Sequence, residues 1–72
     1  MKKTFKLLDL DCANCAAKIE DAVRKIDGVT SANVSFIAQK LTIEAEENAF
    51  DDILNQAVKI IKRTEPDCTI VL

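Results

Sequence analysis

The sequence predicts an α+β fold in which two helices cover one face of a four-stranded antiparallel sheet. Two observations predict it. Two segments have apolar residues at helical spacing, while other apolar segments alternate as strands do. These segments follow one another in the order β-α-β-β-α-β, a known way to build such a sheet. The chain has 72 residues, enough for one domain at most, so we assign residues 1–72 to a single domain.

A strand and a helix account for the first part of the chain. The segment TFKLLDL (4–10) predicts a strand with Phe5 and Leu7 on one face, followed by a loop that starts near Asp9. The segment ANCAAKIEDAVRKIDG predicts a helix that stops at Gly28. The apolar positions of this helix recur at helical spacing and are Cys15, Ile19, Ala22, Val23 and Ile26.

A hairpin, a second helix and a last strand follow. SANVSF and LTIEA alternate and are joined by the short connection IAQK, so they predict a β-hairpin. The inward-facing residues of the hairpin are Ala32, Val34 and Phe36 on its first strand and Leu41, Ile43 and Ala45 on its second. After the polar turn EENA, the second helix carries an apolar stripe made of Phe50, Ile53, Leu54, Ala57, Val58 and Ile61. Pro66 breaks this helix, and CTIVL (68–72) predicts a short last strand.

This order of elements is the ferredoxin-like arrangement. Right-handed crossover connections place the first and last strands side by side and antiparallel. We therefore expect the segment TEPDC (64–68) to lie close to DLDC (9–12). Cys68 shares a strand face with Ile70 and Leu72, so we expect it in the core.

Composition argues against several classes of function. Apolar residues make up 49% of the chain and charged residues 31%, as in a soluble globular domain. The net charge of -2, and aromatic residues that do not interleave with basic ones, argue against nucleic-acid binding. No apolar run approaches the roughly 18 residues of a membrane span, and MKKTFKLLDL lacks the long apolar region of a signal peptide. We expect a cytoplasmic domain.

Two of the three cysteines form a C-x-x-C motif at the start of the first predicted helix. Two thiolates at this spacing can bind one metal ion, with Zn–S distances of roughly 2.3 Å. The helix N-terminus favours the thiolate forms of Cys12 and Cys15. Asp9 and Asp11 oppose ionisation in the empty state, and a bound cation reverses that penalty.

Other uses of the motif fit the sequence less well. A structural zinc site or an iron–sulfur cluster needs about four ligands, and the chain has no histidine and no second C-x-x-C. The lack of histidine also excludes Cys–His catalysis. A thioredoxin-like redox pair shares the C-x-x-C at a helix start, but no tryptophan flanks the motif and the order of elements differs. Two half-buried structural cysteines are the remaining alternative.

The chain resembles the heavy-metal-associated domains, which occur as copper chaperones and as N-terminal domains of metal-transporting P-type ATPases. The resemblance covers nearly the whole chain and rests on the order of elements, the C-x-x-C motif, IDGV after the first helix, and the hairpin pattern V-x-F…K-L-T-I. The family pattern is Gly-Met-x-Cys-x-x-Cys. Here Asp9 takes the glycine position, and Leu10 takes the methionine position, where it can pack under the loop. The Gly-Tyr or Gly-Phe pair that often follows the second helix is replaced by KRTEPD.

The resemblance also bears on which metal is bound. Copper members usually carry Thr or Ser before the first cysteine, whereas D-C-x-x-C resembles the zinc, cadmium and lead exporters. Zinc and cadmium take about four ligands and accept carboxylate, so Asp11 is a candidate ligand beside Cys12 and Cys15. Glu65 or Asp67 could supply a further ligand from the neighbouring loop, and of these two we favour Glu65.

The expected function is that of a metal-binding domain that catalyses nothing itself. We expect one Zn(II), Cd(II) or Pb(II) ion to be held by Asp11, Cys12 and Cys15, with Glu65 or a water molecule in the fourth position, and to be passed on by ligand exchange. The partners are then the metal ion and either the membrane-embedded core of a metal-exporting P-type ATPase or a metal donor or acceptor protein. We expect a monomer. A free-standing metallochaperone for copper(I) or zinc is the alternative function.

Overall fold

The computed structural model describes all 72 residues, and its elements follow the order β-α-β-β-α-β. The strands are β1 (Lys2–Leu8), β2 (Val29–Ser35), β3 (Lys40–Ala45) and β4 (Thr69–Val71). The helices are α1 (Ala13–Arg24) and α2 (Phe50–Thr64), and a 3-10 turn at Glu47–Ala49 leads into α2. The sheet order is β2-β3-β1-β4, with every neighbouring pair antiparallel. The predicted ferredoxin-like fold is confirmed.

The first strand begins earlier, and the first helix ends earlier, than the sequence predicts. β1 begins at Lys2 rather than at Thr4, and it ends at Leu8, before the predicted loop, because Asp9 has a φ of 61° and leaves the extended region. α1 ends at Arg24 because the next two N–H groups bond to carbonyls three residues back, at 3.2 and 3.1 Å. Bonds of this shorter type tighten the chain into the turn that contains Gly28.

Two residues that the sequence places on the core side are exposed instead. Phe36 lies in the turn between β2 and β3 and is 37% exposed. β2 ends at Ser35, whose hydroxyl accepts a hydrogen bond from the N–H of Ala38 at 3.2 Å and helps to form the turn. Leu72 lies beyond the end of β4 and is 74% exposed. The hairpin itself is confirmed, with its turn starting one residue earlier than predicted.

The core lies between the sheet and the two helices. It consists of Leu7, Leu10, Ala16, Ile19, Val23, Ile26, Ala32, Leu41, Ile43, Ala45, Phe50, Ile53, Ala57, Ile61 and Cys68. No polar or charged residue is buried. The predicted inward alternation of Leu41, Ile43 and Ala45 is confirmed, and so is the burial of Cys68, which is 3% exposed. Because burial of apolar side chains drives folding, we expect this core to form without a bound metal ion.

The free edge of β2 is covered by two side chains of α1. The carboxylate of Glu20 accepts a hydrogen bond from the N–H of Val34 at 2.9 Å. The guanidinium of Arg24 donates to the C=O of Ala32 at 2.9 Å, and it forms an ion pair with Glu20 at 3.2 Å. Unpaired backbone groups at a sheet edge can pair with another chain, so these contacts protect the edge and hold α1 across the sheet.

The pairing of β1 with β4 brings two loops together. Leu8 lies opposite Thr69 in this ladder, so the β1–α1 loop lies beside the α2–β4 loop. This is the proximity that the sequence predicts for segments 9–12 and 64–68. Neither helix combines the length and the apolar character that a membrane span requires.

Candidate metal site

Cys12 forms the N-terminal cap of α1. Its backbone is extended, with φ −129° and ψ 120°, and its C=O accepts the first helical hydrogen bond, from the N–H of Ala16 at 3.0 Å. Its sulfur accepts a hydrogen bond from the N–H of Cys15 at 3.3 Å. A capping side chain normally offers an oxygen to this N–H group, and here the sulfur takes that place. The C-x-x-C spacing therefore fixes one sulfur at the positive end of the helix.

The two thiols of the motif ionise very differently. The S–H of Cys15, followed by the backbone N–H groups of Cys15 and Asn14, stabilises a negative sulfur and lowers the pKa of Cys12. The pKa of Cys15 is raised to about 12, first because its S–H donates to Cys12 and next because it donates to Glu65; burial and the neighbouring negative charges add to the shift. Cys12 is therefore the first thiol to ionise, and Cys15 keeps its proton at neutral pH.

Glu65 lies beside the thiols from the other loop. It ends α2, with its N–H bonded to the C=O of Ile61 at 2.8 Å, and its own C=O accepts from the N–H of Cys68 at 3.0 Å. These backbone bonds hold the half-buried residue beside Cys15, where its carboxylate helps to raise the pKa of that thiol. The fold thus places Cys12 and Cys15 together at the start of α1 and Glu65 beside Cys15, and their role as metal ligands stays a prediction.

The two other acidic candidates, Asp11 and Asp67, are both exposed. No group of three or more Cys, Asp and Glu side chains is arranged as a ready-made metal cage. Burial, together with the negative charges of Glu65, Asp9 and Asp11, raises the pKa of Cys68. Cys68 is therefore a protonated core residue at neutral pH, and the four-ligand set remains a prediction.

Gln39 holds the loop that precedes the cysteines, and no pattern in the sequence predicts this role. The side chain of Gln39, in the turn between β2 and β3, accepts a hydrogen bond from the N–H of Leu10 at 3.0 Å and donates one to its C=O at 2.7 Å. Leu10 itself is only 2% exposed and packs in the core, as expected for the residue at the methionine position. No local pattern indicates this contact, because it joins residues 29 positions apart.

The backbone of Asp9 explains why the family pattern has glycine at this position. Its φ of 61° lies in the left-handed region, which glycine enters freely and which other residues enter at a cost. Aspartate is one of the few other residues that tolerate it. Aspartate at the glycine position of the family pattern is therefore compatible with the positive φ observed here.

A pair of substitutions at Asp9 tests this conformation. Asp9→Val is expected to lower the free energy of unfolding by about 1–2 kcal/mol, because a β-branched residue is strained at positive φ. Asp9→Gly is the matched control and should stay within about 0.5 kcal/mol of the wild type, since relief of strain offsets the greater freedom of the unfolded chain. Urea unfolding of the metal-free protein measures both. Equal stabilities for the two variants would contradict a left-handed Asp9.

The chain is similar in sequence to known metal-transporting ATPases and to a smaller protein. Residues 4–67 match the family model described as a heavy-metal-associated domain. A cadmium, zinc and cobalt-transporting ATPase of Bacillus subtilis is 36% identical over 70 residues, which cover 97% of this chain and 10% of the ATPase. The COP-associated protein of Helicobacter pylori is 33% identical over 58 residues, which cover 81% of this chain and 88% of that protein. The chain thus spans about a tenth of the ATPase and most of the smaller protein.

Solved structures agree with the fold. The N-terminal domain of ZntA in its apo-form has a TM-score of 0.74 at 30% identity, covering 97% of this chain and 88% of that one. A structure described as a CopZ metallochaperone also has a TM-score of 0.74, at 22% identity, covering 99% of this chain and 100% of that one. The second likeness concerns the fold alone.

Proposed function

Because the chain belongs to the heavy-metal-associated domain family, we propose that it binds one Zn(II) or Cd(II) ion as cargo for a metal-exporting P-type ATPase. The observation that carries this proposal is the pair of thiols at the start of α1 with the carboxylate of Glu65 beside it. The similarity to a cadmium, zinc and cobalt-transporting ATPase over nearly the whole chain supports the same assignment.

The donor set suits a divalent ion better than copper(I). Copper(I) is soft and is satisfied by two thiolates, which already give its site a net charge of about −1. Zn(II) with the same two thiolates is neutral, and it takes about four ligands that include carboxylate. Asp11 directly precedes the first thiol, and Glu65 lies beside the second. Each carboxylate therefore adds a favoured ligand for zinc or cadmium, while for copper(I) it only adds negative charge.

Transfer of the ion proceeds by exchange of ligands. Cys12 and Cys15 are half-buried at the surface of the domain, so thiolates of an incoming site can reach an ion held between them. The incoming ligands replace Asp11, Glu65 and the two thiolates one at a time. The partner is the membrane core of the exporter or a protein that donates metal to it.

A free-standing metallochaperone for copper(I) or zinc is the second candidate. The observation that favours it is the similarity to the COP-associated protein, which is 33% identical over 81% of this chain. The coding sequence on either side of this chain discriminates between the two candidates. Membrane spans followed by a phosphorylated-aspartate motif would identify the exporter.

The metal preference is tested by removing the carboxylate before the first cysteine. Asp11→Asn is expected to weaken Zn(II) binding by at least about tenfold, because one ligand of the zinc site is lost, and to change copper(I) affinity by less than about threefold. Competition with chelators at neutral pH measures both affinities. Asp67→Asn is the matched control, because it removes the same charge from an exposed residue of the neighbouring loop. Equal losses for zinc and copper(I) would remove Asp11 from the site.

A further inference from the structure

The side chain of Gln39 is fully engaged in holding one stretch of backbone. Its oxygen accepts from the N–H of Leu10 at 3.0 Å, and its nitrogen donates to the C=O of Leu10 at 2.7 Å and to the C=O of Phe36 at 2.8 Å. Both amide hydrogens are thereby used. The pair of bonds to Leu10 resembles the exchange of N–H and C=O bonds between two neighbouring strands. We call these two bonds the Gln39 clamp.

The clamp acts on the residue that precedes the site. Leu10 is followed directly by Asp11 and Cys12, and Cys12 begins α1. The side chain of Leu10 is buried, so core packing and the clamp hold the residue from different directions. The C=O of Gln39 also accepts from the N–H of Leu7 at 2.8 Å, which ties the same turn to the end of β1. One residue of the hairpin turn thus fixes both the end of β1 and the start of the loop.

The backbone has an unusual conformation at Gln39 and at Asp9, the residue before Leu10. Asp9 and Gln39 are the residues other than glycine with positive φ, at 61° and 55°. A glutamine in the left-handed region is uncommon, and such a conformation persists only where the surrounding structure holds it. Glycine would fit the turn with less strain, but it has no side-chain amide that could bond to the backbone of Leu10.

We propose that Gln39 is a positioning residue for the metal loop. This inference rests on the proposed function, since it assigns Gln39 the task of keeping the loop from Leu10 to Cys15 close to its metal-bound arrangement when the ion is absent. Without the clamp, the loop has to be ordered at the moment of binding, and that ordering weakens binding and shortens the lifetime of the complex. A glutamine that served only the hairpin turn would affect stability and leave the site unchanged.

The test compares three variants. Gln39→Asn keeps an amide and tolerates positive φ, but it is one methylene too short to reach Leu10, while Gln39→Ala removes the amide altogether. Ser35→Ala is the matched control, because it removes the hydrogen bond that the N–H of Ala38 donates to the Ser35 hydroxyl in the same turn, and it leaves the clamp intact. Two rates are measured: release of Zn(II) to a chelator, and amide hydrogen exchange at Cys15 in the metal-free protein. The N–H of Cys15 reports on the loop because it donates to the sulfur of Cys12.

Both Gln39 variants are expected to release Zn(II) about tenfold faster and to exchange the Cys15 amide faster by a similar factor, since two hydrogen bonds to the loop are lost. Ser35→Ala should match the wild type in both rates. The inference is overturned if the Gln39 variants keep wild-type exchange at Cys15, or if Ser35→Ala speeds zinc release as much as they do. A wild-type protein that binds neither Zn(II) nor Cd(II) would refute the proposed function instead, and exchange at Cys15 would still decide whether Gln39 positions the loop.

Discussion

Cys12→Ser is expected to weaken Zn(II) binding by at least about 100-fold, because a serine hydroxyl stays protonated at neutral pH and cannot replace a thiolate ligand. The magnitude follows from zinc sites of four ligands, which bind with about 10–16 kcal/mol and so with roughly 3 kcal/mol for each ligand. Competition with a chelator of known affinity measures the loss. Cadmium should show the same effect, since it also prefers thiolate to hydroxyl.

The fold should tolerate this substitution. Cys12 caps α1 through its sulfur, and serine is among the best capping residues, so the metal-free variant should be at least as stable as the wild type. Cys68→Ala is the control for loss of a cysteine away from the site, because Cys68 lies in the core. It should lower stability slightly and leave zinc affinity unchanged. If Cys68→Ala lost zinc binding and Cys12→Ser kept it, the assignment of the two thiols would be wrong.

The fold could be predicted because its signals are local and repeated. Alternation placed Leu41, Ile43 and Ala45 on the buried face of β3, and helical spacing marked Ile53, Ala57 and Ile61. The order of elements, with right-handed crossovers, then determined which strands pair. The proximity of Glu65 to Cys15 followed from that pairing rather than from any motif. The predicted strand pairing was therefore as important for predicting the candidate site as the C-x-x-C motif.

The contacts around the site that were not predicted from the sequence do not follow from the periodic spacing of apolar residues. The clamp on Leu10 comes from a polar side chain in a turn, and its partner is backbone, which every residue carries. Glu20 and Arg24 cover the edge of β2 in the same way, although on the helix they are simply an exposed pair of opposite charges at helical spacing. Side-chain bonds to distant backbone become visible only once the fold brings the segments together.

Asp11 illustrates the opposite case. Its candidacy as a ligand comes from its place before Cys12, whereas its side chain is exposed and belongs to no group of three potential ligands. Negative groups around an empty site repel one another, so the ion itself supplies the attraction that gathers them. The fold itself places Cys12 at the helix cap, next to Cys15, and Glu65 beside Cys15. The Asp11→Asn experiment tests whether the exposed carboxylate of Asp11 joins them when a metal ion binds.

The affinity for zinc is expected to rise steeply with pH. Metal binding requires both thiolates, and the pKa of Cys15 is raised to about 12, so this thiol is protonated throughout the neutral range and must release its proton to the solvent. Each proton released strengthens the apparent affinity about tenfold for every unit of pH, and Cys15 alone therefore predicts a gain of about 100-fold between about pH 6 and about pH 8. The pKa of Cys12 is lowered, so Cys12 contributes a second proton only at pH values below its own pKa.

The slope of log affinity against pH should therefore lie between about one and about two, and should approach one at the alkaline end of the range. Competition titrations across this range measure the slope, and calorimetry in buffers of different ionisation enthalpy counts the protons directly. The Cys12→Ser variant separates the two thiols, because its remaining zinc binding should keep the slope of about one that belongs to Cys15. An affinity independent of pH in the wild type would mean that both thiols are already ionised in the metal-free protein. In that case the S–H of Cys15 could not hold its bonds to Cys12 and Glu65, and the electrostatic description of the site would be wrong.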